Sequence, residues 1–194
     1  MRTNTLAIST VRMTALLILA GAALTADASD GASPAGETPE GAARLMPFKQ
    51  QLMGALMTGL AQGPVEAVDT CQVQAPQIAG DLSGGGVQVG RTSHRLRNPD
   101  NAGPPWATEV LQAYLDQPGD WKPRSVSLAD GRQGYVEPIV TQPLCLVCHG
   151  TSVSPPVAAA IAERYPEDRA TGFETGDLRG VFWISWPPED AAGP

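Results

Sequence analysis

Apolar residues recur along this chain with two periods, and the switches between them mark out its elements. Leu45, Phe48, Leu52, Met53, Leu56, Met57 and Leu60 fall three or four residues apart, which predicts an amphipathic helix with Pro47 tolerable in its first turn. Methionines at this spacing read as core rather than as metal ligands. Gly63-Pro64 breaks the pattern. A second helix is predicted to start at Pro64 and to carry Val65, Val68 and Cys71 on one apolar face before Pro76, so Cys71 is expected to face inward.

After Gly84-Gly85-Gly86 the period shortens. Val87-Gln88-Val89 predicts a short strand, followed by a basic and polar run over 91–97 and a turn at Asn98-Pro99-Asp100-Asn101. Trp106, Val110, Leu111 and Tyr114 predict another short helix. Ser125-Val126-Ser127-Leu128, the Asp130-Gly131 turn and residues 135–140 predict a β-hairpin; Pro138 makes its second strand an edge or a bulged one. A helix over 156–164, a turn-rich stretch through Gly176 and a buried strand at Val181-Phe182-Trp183-Ile184 complete the pattern. Helices and strands mix without βαβ repetition, which predicts a single α+β domain with an antiparallel sheet over residues 44–186.

The ends read differently. Arg2 and Arg12 precede an apolar run over 13–24 that ends in Ala26-Asp27-Ala28, the layout of a secretory signal peptide occupying residues 1–28. The run is too short for the ~20 residues of a spanning helix, so a periplasmic protein without a membrane anchor is expected. Residues 29–43, rich in Gly, Ala, Ser, Pro and acidic side chains, read as a flexible tether, and residues 187–194 as a disordered tail.

Acidic residues outnumber basic ones by 20 to 13, a formal net charge of -7, which argues against nucleic acid or anionic lipid as a partner. It fits a soluble partner with a basic docking face, and equally well simple solubility. An exported chain with 3 cysteines cannot pair them all internally, so at least one has another task.

Cys145-Leu146-Val147-Cys148-His149 has the spacing that c-type haem attachment requires: two thiols to add to the two vinyl groups, and an imidazole next in sequence to sit under the iron. Two other chemistries use similar residues. A redox-active Cys145–Cys148 disulfide would be expected near a βαβ pattern, which is missing, and a zinc site of Cys71, Cys145, Cys148 and His149 is awkward because Cys148 and His149 are adjacent. One covalently attached haem c is therefore expected, with His149 as the fifth ligand. For the sixth position the chain offers Cys71, His94, Met46, Met53, Met57 or nothing. His94 lies in a polar run where exposure is the default, and Cys71 is the unpaired cysteine on an apolar helical face; spacing alone leaves ligand and inert packing both open.

Several blocks resemble a known family: Gly90-Arg91-Thr92-Ser93, Leu96-Arg97-Asn98-Pro99 with Asn101, Pro138-Ile139, the 145–150 motif, Tyr165-Pro166, Ala170-Thr171-Gly172 and Gly176-Asp177-Leu178-Arg179-Gly180. Together they are similar to the c-haem sensor-like domain first seen as a cyanobacterial cytochrome and also found ahead of bacterial signalling domains. The resemblance runs from about Met46 to Ser185. It implies a PAS-like fold, an antiparallel sheet flanked by helices, and an upstream cysteine, matched by Cys71 in Asp69-Thr70-Cys71, that ligates the iron opposite His149. The stretch Gly103-Pro104-Pro105-Trp106-Ala107 departs from the family's acidic sequence at that tryptophan. No output domain follows, so a signal is expected to leave through a separate partner.

Arg91 and Arg97 can neutralise haem propionates, or serve as surface arginines and a structural tie to the turn at Asn98. With a Cys71 thiolate and His149 as axial ligands, a low potential is expected and hence an electron carrier or redox sensor with an unidentified redox partner. The alternative is a gas sensor in which carbon monoxide or nitric oxide displaces Cys71. An enzyme, such as a peroxidase, would need a distal acid-base group that only His94 can offer, so none is expected.

Overall fold

A four-stranded antiparallel sheet forms the middle layer of the domain, with strand order β1-β4-β3-β2. In chain order the elements are α1 (Glu40–Gln62), α2 (Pro64–Asp81), β1 (Gln88–Thr92), α3 (Pro105–Asp116), β2 (Arg124–Ser127), β3 (Gln133–Val140), α4 (Leu146–His149), α5 (Pro155–Arg164) and β4 (Leu178–Trp186). This computed structural model describes residues 39–188 apart from residue 120. The expected signal peptide, most of the expected tether and the end of the expected tail lie outside the described residues.

Alternation along the strands divides the core in two. Val89, Tyr135, Ile184 and Trp186 face one way and pack with Leu45, Phe48 and Ala55 of α1 and Ile78 of α2. Val136 and Val181 face the other way and, with Leu178, pack against Ala107, Val110, Leu111 and Tyr114 of α3. A third cluster joins Val68 of α2 to Val157, Ala160 and Ile161 of α5 and to Tyr165, with Cys148 packed against it. Fully burying a side chain such as Phe48 or Leu45 contributes roughly 1.5–3 kcal/mol. α1 and α2 approach closely because Gly59 has no side chain; a Cβ there would lie 2.7 Å from the Cα of Ala67.

The α+β class, the antiparallel sheet and the flanking helices are those read from the sequence, and four details differ. α1 starts at Glu40, so residues 40–43 of the expected tether are helical. Met53 and Met57, expected in the core, are exposed, because the buried line of α1 runs through Gly41, Leu45, Phe48, Ala55 and Gly59. α2 continues through Pro76 to Asp81, since burial of Ala75 and Ile78 outweighs the lost backbone bond. Pro138 lies in a strand that is central over only half of its length, residues 133–136. β2 stops at Arg124, opposite Val136, so Pro138 has a neighbouring strand on one side only, and the expected bulge falls just beyond it between Ile139 and Val140.

Candidate functional site

The motif Cys145-Leu146-Val147-Cys148-His149 occupies a single tight turn: a 3-10 turn over Pro143–Cys145 runs directly into α4. Helical spacing puts Cys145 and Cys148, three residues apart, on one face. The three cysteines are free thiols, each half-buried. Leu144 and Val147, on the same turn, are exposed large apolar side chains.

Backbone and side-chain bonds from the segment 168–173 clamp this turn. The N–H of Phe173 donates to the carbonyl of His149 at 2.9 Å, and that of Gly172 to the carbonyl of Gly150 at 3.0 Å. The ring Nδ1 of His149 lies 2.6 Å from the carbonyl oxygen of Ala170. A carbonyl can only accept, so Nδ1 carries the proton and Nε2 keeps its lone pair for a metal. Burial first, then the nearby Arg179 and Arg97 guanidinium groups, push His149 down to about 2, which keeps the imidazole neutral. The donor set therefore fits one axial position of an iron porphyrin.

Cys71 reaches the same region from α2. Its helix is tied to the end of α5 by Arg164, whose Nε lies 2.7 Å from Asp69 Oδ1, and by Gln72, which donates to the carbonyl of Arg164 at 3.2 Å. Burial pushes the Cys71 thiol up, while Arg91 and Arg97 pull it back. Burial also raises Cys148, which feels both Arg97 and Cys71. Cys71, Cys148, His149, Arg91 and Arg97, named from three separate stretches of pattern, are thus electrostatic neighbours in the fold. Among the described residues no three of His, Cys, Asp and Glu come together as a metal-binding group, so the donors considered for zinc are not gathered as zinc needs.

Arg97 is engaged with protein groups. Its Nε donates to Asp168 Oδ1 at 3.0 Å, and Nη2 donates to the carbonyls of Cys148 and Ala170. That is the structural tie weighed from the sequence, made to the haem-motif turn rather than to Asn98, whose side chain instead accepts from the N–H of Asp100. The Arg91 side chain makes no hydrogen bond or ion pair with the described residues. His94 is exposed, its ring edge-on to Phe173 at 5.8 Å, and Phe173 is in turn edge-on to His149 at 6.4 Å. Met46, Met53 and Met57 are 41, 54 and 50% exposed on α1.

Sequence reasoning gave no role to Asp168, Ala170, Phe173 or Arg179. The blocks that contain Ala170 and Arg179 stood out, but only the fold shows that one orients His149 and that the other lies near it, half-buried with its Nε out of reach of solvent.

These features define an α+β domain in which a half-buried Cys-x-x-Cys-His turn lies beside an upstream cysteine and an arginine cluster. A family model, Tll0287-like, matches residues 10–187, and the chain belongs to that family. A solved structure titled as the crystal structure of the cyanobacterial heme-protein Tll0287 is similar to it, with 28% sequence identity and a TM-score of 0.55, covering 75% of this chain and 91% of that one. No curated protein matches.

Proposed function

We propose that this chain is an exported monohaem c-type cytochrome of the periplasm, an electron carrier or redox sensor rather than an enzyme. Cys145 and Cys148 would hold one haem c through thioether bonds, and His149 and Cys71 would be the axial ligands. The observation that carries this is the His149 imidazole: neutral, half-buried and oriented by Ala170 so that Nε2 is free, one residue beyond the two thiols. Similarity to a solved heme-protein supports haem as the group.

When bound, haem supplies a one-electron iron couple. The chain's residues would tune it. A carbonyl acceptor on Nδ1 raises the basicity of the His149 ring. Cys71, once it had given up its thiol proton on binding iron, would be an anionic sulfur donor that favours the ferric state and a potential well below that of a Met/His site. Tyr165 and the α5 cluster close over Cys71 and Cys148 and limit water there.

Ultraviolet-visible spectra of periplasmically matured protein, ferric and dithionite-reduced, beside Cys71→Ala test this directly. A thiolate-type ferric spectrum lost in the variant, with a higher potential, is expected. A variant with unchanged spectrum and potential overturns the Cys71 ligand and the low-potential role. A reduced spectrum that shifts under carbon monoxide would favour the gas-sensing alternative, in which Cys71 is displaced.

A further inference from the structure

The bulge between Ile139 and Val140 has one extra residue on β4, and that residue is Arg179. Gly180 pairs with Ile139 and Leu178 with Val140, so Arg179 is left out of the ladder. A bulge re-aims a side chain, and this one sends the guanidinium into the site. Gly180 makes it possible: at φ 156°, a Cβ there would lie 2.2 Å from the carbonyl oxygen of Thr92.

Once there, Arg179 is fixed but not satisfied. Its Nη1 donates to Ser93 Oγ at 2.8 Å and to the Arg95 carbonyl at 3.3 Å. Its guanidinium carbon lies 5.0 Å from the centre of the Phe173 ring. Its Nε is buried without a hydrogen-bond partner, and among the described residues no other charged side chain has such an atom. Leaving a buried charged donor unmade is costly.

The surroundings have the same deficit. Burial first, then Arg91 and Arg97, push Arg179 down to about 9; Asp168, the nearby carboxylate, is already bound to Arg97. In a chain of net charge -7, Arg91, Arg95 and Arg97 thus all bear on Arg179 against the single carboxylate of Asp168, and Arg91 makes no ion pair with the described residues. A planar guanidinium with a free N–H suits a carboxylate.

We propose that Arg179, with Arg91 beside it, is the anion-holding element of the site: its free Nε–H receives a propionate carboxylate of haem, and its buried charge raises the reduction potential. This rests on the haem reading above. The buried bulge residue, rather than Arg97, is then the principal propionate contact.

Midpoint potentials and the propionate bending band in resonance Raman spectra of wild type, Arg179→Gln and Arg179→Lys form the test. Arg179→Gln is expected to keep its haem and its axial-ligand spectrum while the potential falls and the band moves to the position of a propionate without a strong donor. Arg179→Lys is expected to restore the potential but not the band. Arg179→Gln with both readouts unchanged overturns the proposal. If that variant does not mature, a wild-type band already at the position of an unbonded propionate overturns it as well. A wild-type potential that shifts with added inorganic phosphate would assign the site to a free anion instead, and also overturn it. Wild type lacking haem altogether would mean that the haem reading itself fails, and this inference with it.

Discussion

Arg97 and Asp168, 71 residues apart in sequence, form an ion pair with Nε 3.0 Å from Oδ1, their side chains only 12 and 10% exposed. The same guanidinium donates to the carbonyl of Cys148, while Asp168 Oδ1 also accepts from the N–H of Ala170 at 2.9 Å, the residue whose carbonyl orients His149. One largely buried pair therefore holds both the Cys-x-x-Cys-His turn and the His149 ring.

Removing one partner leaves the other charge buried and uncompensated, which costs about 3–5 kcal/mol. Arg97→Ala and Asp168→Ala should each lower the unfolding free energy obtained from urea denaturation by an amount in that range. The double variant should lose less than the sum of the two. Additive losses would show that the pair is not coupled.

Two glycines should respond to alanine with opposite signs. At Gly180 a Cβ meets the Thr92 carbonyl oxygen, so Gly180→Ala should destabilise by about 2 kcal/mol or more through strain and overpacking. Gly54 lies inside α1 with nothing within 4 Å of an added Cβ, and Gly54→Ala should stabilise by about 0.5–1 kcal/mol. Thermal unfolding of the two variants checks both.

Alkaline stability should fall in a defined window. Burial first, then the Glu137 carboxylate, push the Tyr135 hydroxyl up to about 12, against about 10 in an unfolded chain. Between those values the native state keeps a proton that the unfolded state has lost, so stability is full below about pH 10 and declines toward pH 12. Tyr114 and Tyr165 shift in the same direction and add to the decline. Tyr135→Phe should flatten part of it in a denaturant series from pH 9 to 12, with little change near pH 8.

The elements were legible because they follow period and punctuation: α3 and the hairpin lie close to where apolar spacing and the Asp130-Gly131 turn put them. The face of α1 was less so. Met53 and Met57 share helical spacing with Leu52 and Leu56, and only the packed sheet shows that the buried line is the one of small residues through Ala55 and Gly59. At the site, Cys145, Cys148 and His149 stood out as candidates because a Cys-x-x-Cys-His spacing is local. Cys71 came from a resemblance. Asp168 and Arg179 were not legible, because a pairing across 71 residues and a bulge in the β4 ladder arise only when strands meet in register.

The most direct measurement is a pyridine haemochrome assay on periplasmically matured protein after denaturation and acid-acetone extraction, with Cys145→Ala, Cys148→Ala and the double variant alongside. Haem c held through Cys145 and Cys148 predicts one haem per chain that resists extraction in the wild type, one thioether in each single variant, and none retained in the double variant. Haem that extracts freely from the wild type, or none at all in a strain competent for maturation, would contradict it.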